Sequence, residues 1–232
     1  MLVIKIADIP VGIDNRYKYL EGLTRDYLTD DSPVFTVSVS DAEIERERAD
    51  SGEQFSDGYL EGIVSYRKIA ERLPEYGAVV FHGAVVRLRD KAYAFTAKSG
   101  VGKTTHTRLW LSEVEGSYYI NGDKPIIRLI DGYPRAYGTP WRGKEGYGVN
   151  ESAPLASIAL IERAEHNSAC PVDKGEGVVR FMKQIYIPKD PAMALKAMRV
   201  ADGIISSVRL VELKCNMDPE AAIIASKAMI VD

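Results

Sequence analysis

Residues 97–110 read AKSGVGKTTHTRLW. An apolar, strand-like run, KAYAFTA (91–97), leads into the stretch, and TTHTRLWLSEV (104–114) leaves it with helical spacing. A strand, a glycine loop and a helix in that order match most of the phosphate-binding pattern G-x-x-x-x-G-K-[ST], with Ala97 where the first glycine belongs. Glycines let successive N–H groups turn inward, and the following helix directs its positive end at the bound phosphates. Gly100 and Gly102 supply those turns. Lys103 reaches the β- and γ-phosphates, and the Thr104 hydroxyl goes to Mg²⁺. A methyl at position 97 costs little if its φ is below zero. The expected nucleotide-binding set is therefore Ser99, Gly100, Val101, Gly102, Lys103, Thr104 and Thr105. The plain alternative is a glycine-rich turn carrying a solvated lysine, which leaves the strand-to-helix placement unexplained.

Upstream, AVVFHGAVVRL (78–88) reads as one strand joined to 91–97 by a turn at Arg89-Asp90. Downstream, 116–122, 124–131 and 133–141 read as three strands separated by Gly and Pro turns, and LASIALIER (155–163) as a buried strand. Helices follow. Two open on Asp-Pro, at Asp190-Pro191 and Asp218-Pro219, with Asp as cap and Pro at the first helical position. SVRLVELKC (207–215) between them reads as a strand. At the other end, MLVIKIADI (1–9) and PVFTVSVS (33–40) read as strands, and DAEIERERAD (41–50) as a surface helix. In 56–77, Leu60, Ile63, Tyr66, Ala70 and Leu73 recur at helical spacing until Pro74 ends the run. Residues 1–76 are expected to form a strand and helix layer on a nucleotide-binding core at 77–232. The fold class is α/β (α+β): mixed β-sheets with flanking helices, without the strict alternation of a doubly wound sheet.

The chain has 232 residues, 46% of them apolar and 27% charged, with a net charge of -3. That charge argues against a nucleic-acid surface built on bulk positive potential. Cys170 and Cys215 have no metal-ligand spacing and read as thiols of a cytosolic protein. The first residues lack the basic and long apolar regions of a signal peptide, and no apolar run reaches membrane-spanning length. A soluble cytoplasmic protein with no membrane partner is expected.

A Mg²⁺–nucleotide site also needs an acid at the end of a nearby strand. In YYINGDKP, Asp123 closes an apolar run one helix and one strand after the loop. It can ligate Mg²⁺ or take a proton from a substrate hydroxyl; an ordinary Gly-Asp turn is the alternative. His82 lies in an apolar run before a glycine, where a packed core histidine is the commoner outcome. His106 is open to either reading, and His166 reads as solvent-exposed. YGTPWRGKEGYG sets Arg142 and Lys144 among glycines after Trp141, which suits an anionic group or a plain surface turn.

FHGAVVRLRDKAYAFTAKSGVGKTT followed by INGDKP resembles the HPr kinase/phosphorylase and ATP-dependent phosphoenolpyruvate carboxykinase group, in particular its small bacterial HPr kinase-like branch. The likeness covers about 78–230 and includes AYGTPWRGK, LIER and CNMDPEAA. It implies the phosphoenolpyruvate carboxykinase/HPr kinase-like P-loop fold, ATP and Mg²⁺ as cofactors, and a homo-oligomer. It also implies catalytic roles for His82 and Asp123. With the loop pattern and the basic turn after Trp141, the expected catalytic set is His82, Lys103, Asp123 and Arg142, with Thr104 and Asp123 at the metal. Three positions depart from the family pattern. Gly122 replaces the first of two acids, Pro140 stands where a magnesium-binding Glu precedes the Arg-Gly pair, and the late Arg-Asn pair is absent. The expectation is an ATP- and Mg²⁺-dependent kinase acting on a hydroxyl of a protein, a peptide or a small molecule. An ATP-binding regulator without turnover and a carboxykinase-type enzyme are the alternatives.

Overall fold

A computed structural model describes residues 1–98 and 100–230. The chain opens on a hairpin, because the alternation of 1–9 runs through a two-residue turn. β1 (Leu2–Ile6) pairs antiparallel with β2 (Ile9–Asp14), with Ile6 opposite Ile9. Ala7 and Asp8 take φ of 49° and 59°, the left-handed geometry that matches the twist of a tight hairpin. The single strand expected there is thus two. Ala-Asp lacks the glycine that advertises such a turn. β3 (Phe35–Ser38) adds parallel to β2.

Three helices accompany this sheet: α1 (Tyr19–Leu23) lies between β2 and β3, and α2 (Asp41–Ser51) and α3 (Asp57–Arg72) follow β3. Leu60, Tyr66 and Ala70 of α3 are buried as the spacing predicts, and Ile63 is half-buried. A 3-10 turn at Leu73–Tyr76 takes up Pro74 and ends on Gly77, whose φ is 71°. Ile4, Ile6, Val11 and Ile13 pack in one cluster with Ile69, Leu73, Val80, Ile126 and Tyr137. The N-terminal layer and the following sheet therefore share a hydrophobic core.

That second sheet contains β4 (Ala78–Val80), β5 (Ala84–Leu88), β6 (Lys91–Thr96), β7 (Ser117–Asn121), β8 (Ile126–Ile130), β9 (Tyr133–Tyr137) and β10 (Ser152–Arg163). Their order is β4-β8-β9-β10-β6-β5-β7. β10 joins two regions. Its first residues pair antiparallel with β9, and its remainder runs parallel to β6. On its other side lies β12 (Arg209–Cys215), also parallel, with β11 (Ser168–Pro171) beyond it. The carboxyl ends of β6, β10 and β12 thus open at one edge. β11, four mostly exposed residues, was not expected from the sequence.

The run 78–88 divides at Phe81–Gly83, where one expected strand becomes β4 and β5. There the backbone turns to other partners. Phe81 N donates to Pro125 O at 2.9 Å, His82 N to Gln184 O at 2.6 Å, and Gly83 N to Asp123 O at 3.1 Å. A Cβ at Gly83 would lie 2.1 Å from Phe81 Cε1, so only glycine fits. This break moves His82 out of the apolar core.

α4 (Lys103–Glu113) and α7 (Glu220–Met229) cover one face of the sheet, while α5 (Lys174–Met182) and α6 (Pro191–Ser207) cover the other. Asp190 caps α6 as expected, accepting from Met193 N at 2.9 Å. Asp218 does not cap α7 with its side chain. Its carboxylate accepts from Asn216 Nδ2 at 2.8 Å, and its carbonyl takes the Ala221 amide. Among the described residues no helix is long and apolar enough to cross a membrane.

Candidate functional site

The glycine loop leaves β6 at Ala97 and enters α4 at Lys103. Ala97 is buried at 7% exposure, has no positive φ, and packs in the cluster around Trp110 and Phe95. Alanine at that position therefore fills space at no conformational cost. Gly100 and Gly102 have φ of 77° and 118°, a region that side chains disfavour. Val101 N closes a turn onto Lys98 O at 3.1 Å. Ser99 lies outside the described residues. Arg163, the last residue of β10, holds the loop from outside. Its Nε donates to Val101 O at 2.9 Å and its Nη2 donates to Gly100 O.

Three expected side chains converge at the start of α4. Asp123 Oδ1 lies 3.4 Å from Lys103 Nζ and 3.8 Å from His82 Nε2. Lys124, which the sequence reading passed over, places its Nζ 3.0 Å from Asp123 Oδ2. Burial pushes the Asp123 carboxyl up, but Lys124, Lys103 and His82 together hold it below the usual carboxylate range. Burial lowers His82, and Lys124 and Lys103 lower it further, against the pull of Asp123; the imidazole is therefore neutral at pH 7. Burial also lowers Lys103, offset in part by Asp123.

Asn121, also passed over, aims this cluster. It is fully buried. Its Oδ1 accepts from Asp123 N at 2.9 Å and Lys124 N at 2.8 Å, while its Nδ2 donates to Thr139 Oγ1 at 3.0 Å. Replacing Asn121 with Ala strands several buried groups. The expected cost is about 3 kcal/mol of unfolding free energy, measured by urea denaturation.

Thr104 is half-buried and Thr105 exposed at the N-terminal turn of α4. Arg142 does not join Asp123. Its Nη2 lies 3.5 Å from Asp26 Oδ2, its guanidinium carbon 5.9 Å from the Tyr27 ring centre, and its buried Nε has no partner among the described residues. The loop carrying it does reach the acid: a Cβ on Gly143 would lie 2.8 Å from Asp123 Cβ. At Gly122, a Cβ would meet Tyr147 Cβ at 3.3 Å and Tyr147 O at 3.4 Å. The close approach of 142–148 thus leaves little room for a second acid. Lys144 and His166 are exposed.

His106 belongs to the core, at 2% exposure. Its Nδ1 is 3.9 Å from Cys215 Sγ and its ring packs on Phe95. Burial depresses its pKa from 6.5 to about 4, and burial likewise keeps the facing Cys215 thiol neutral. The unfolded chain binds this proton first as pH falls. Stability from His106 is complete above pH 6.5 and is lost between there and about pH 4. The loss should be about 3 kcal/mol. Denaturation at pH 7 and pH 4 should show it, and His106→Phe should flatten that part of the profile.

No protein-family model matches the chain, and no curated protein matches it. Among solved structures it is similar to the HPr(Ser) kinase/phosphatase from Coxiella burnetii. The identity is 7%, over 64% of this chain and 94% of that one, with a TM-score of 0.38. A likeness that distant carries neither fold nor function to this chain.

The residues present fit Mg²⁺ held jointly with phosphate. Among the described residues no three His, Cys, Asp or Glu side chains form a metal cluster. One hydroxyl and one carboxylate are what Mg²⁺ commonly takes from a protein when phosphates and water fill its other positions.

Proposed function

We propose that the chain is a phosphotransferase: it binds ATP with Mg²⁺ on the glycine loop and transfers the terminal phosphoryl group to a hydroxyl. The observation that carries this reading is the approach of Lys103 and His82 to one carboxylate, Asp123, at the loop's entry into α4. Thr104 and Asp123 would hold Mg²⁺, which supplies charge neutralisation on the phosphate oxygens. The loop amides and the α4 N-terminus bind phosphate, and Lys103 offsets charge on the transferring group.

The acceptor oxygen attacks the γ-phosphorus. The bond from that phosphorus to the bridging oxygen breaks, and its electron pair leaves on ADP. The hydroxyl proton passes to Asp123. Its low basicity suits a loose transition state, in which the proton leaves late. Neutral His82, 3.8 Å away, can accept that proton in turn. Arg142 sits on a loop against Asp123 but turns to Asp26, so we assign it to the acceptor side of the site. The acceptor is a serine of a protein or peptide, or a small hydroxyl compound, and the site lies in a cytoplasmic, homo-oligomeric protein.

One observation favours a second reading. The crowding at Gly122 leaves a single acid, which suits an ATP-binding regulator without turnover. Incubating the full chain with Mg²⁺, γ-labelled ATP and a cell extract separates the two. Label transfer that is lost in Asp123→Asn supports the kinase. Binding of ATP without any transfer supports the regulator.

A further inference from the structure

Asp123 and Lys124 are neighbours in the chain, yet their side chains meet, with Lys124 Nζ 3.0 Å from Asp123 Oδ2. Consecutive residues of an extended chain point to opposite faces. Between β7 and β8 the backbone is turned so that both side chains reach one place. Asn121 Oδ1 accepts from Asp123 N at 2.9 Å and from Lys124 N at 2.8 Å. The Lys124 carbonyl is held as well: it accepts from Thr139 Oγ1 at 2.8 Å and from the Tyr66 hydroxyl at 2.8 Å. Tyr66 belongs to α3 of the N-terminal layer, is buried, and stacks on Trp141 with ring centres 4.1 Å apart. Side chains from three segments thus fix the backbone that carries Lys124. An ordinary surface ion pair is tied only by its own flexible side chains.

The two lysines approach Asp123 at different oxygens. Lys103, with 14% of its side chain exposed, lies at Oδ1 on the side of the glycine loop. Lys124, with 38% exposed, lies at Oδ2 and opens to solvent. An acceptor enters from solvent, so Lys124 is the cation it meets beside the acid. Arg142 does not fill that place, because its guanidinium turns to Asp26 and Tyr27. A hydroxyl in hydrogen-bond reach of Asp123, about 2.6–3.2 Å, brings the transferring group beside an ammonium already at the same carboxylate.

We infer that Lys124 is a catalytic residue, which exchanges Asp123 Oδ2 for an oxygen of the phosphoryl group as that group passes from ADP to the acceptor. The inference rests on the proposed phosphoryl transfer. No bond forms or breaks at Lys124, which stays an ammonium throughout. In the ground state it is paired with Asp123. In the transition state its charge falls where negative charge develops. An interaction made only there raises the rate without tightening substrate binding. Lys103 and Lys124 then flank the transferring group on its donor and acceptor sides.

The test compares Mg-ATP with Mg-ADP plus aluminium fluoride, a mimic of the transferring phosphoryl group, by calorimetric titration of the full chain. The wild type should bind Mg-ADP more tightly when aluminium fluoride is present. Lys124→Met removes the charge from a partly exposed side chain and keeps most of its bulk. It should leave the affinity for Mg-ATP nearly unchanged and weaken Mg-ADP with aluminium fluoride about 100-fold. Lys124→Arg should recover most of that loss. A role confined to holding the turn predicts that Lys124→Met weakens both ligands alike, and that result overturns the proposal. Full tightening by aluminium fluoride in Lys124→Met overturns it too, while leaving the phosphotransferase reading standing. If aluminium fluoride adds no affinity in the wild type, the phosphoryl-transfer reading falls and the role of Lys124 falls with it.

Discussion

Replacing Lys103 with Ala should lower the affinity for Mg-ATP about 100-fold and phosphoryl transfer about 1,000-fold. The Lys103 side chain is only 14% exposed and faces Asp123, so its charge acts where water screens it little. Removing it leaves the loop amides and the helix N-terminus as the remaining phosphate donors. They bind phosphate in the ground state but do not follow charge as it develops on the transferring group. Calorimetry reads the first loss and ADP production the second. Unchanged affinity in a folded Lys103→Ala protein would mean that the loop is a structural turn.

Asp123→Asn should separate binding from chemistry. The carboxylate holds two lysines, Lys103 and Lys124, that are then free for phosphate. Their release offsets the loss of one Mg²⁺ ligand, so affinity for Mg-ATP should change far less than transfer does. Transfer should fall about 1,000-fold, the scale of losing a positioned base. The amide keeps the size of the side chain, and Asn121 continues to hold the 121–124 turn through backbone amides, so the fold is retained. If transfer persists in Asp123→Asn, His82 rather than Asp123 takes the proton first, and His82→Gln should then abolish it.

Much of the fold was legible because local chemistry and tertiary structure agreed. The β6–loop–α4 unit lies where the strand pattern, the two glycines and the helical spacing put it. The two-residue turn at Ala7-Asp8 was hidden, because it uses left-handed residues other than glycine. The division at Phe81–Gly83 was hidden because apolar residues flank His82-Gly83 on both sides. It arises from Gln184, Asp123 and Pro125, which reach those backbone groups from distant parts of the chain.

The site follows the same rule. Lys103 and Asp123 could be named from their types and places and His82 from the family resemblance, and the three side chains meet. Arg142 shared their chemistry but is drawn to Asp26 and Tyr27, a contact across more than a hundred residues that spacing does not reveal. Lys124 was visible as the neighbour of Asp123. Asn121 and Arg163 were not, because their roles come from backbone groups that approach them only in the folded chain.

The most direct measurement is a crystal structure of the full chain with Mg²⁺ and a non-hydrolysable ATP analogue. The account places the terminal phosphate within about 3 Å of Lys103 Nζ and on the side of the loop that faces Asp123. Phosphates bound elsewhere, or no nucleotide at saturating concentration, would contradict it.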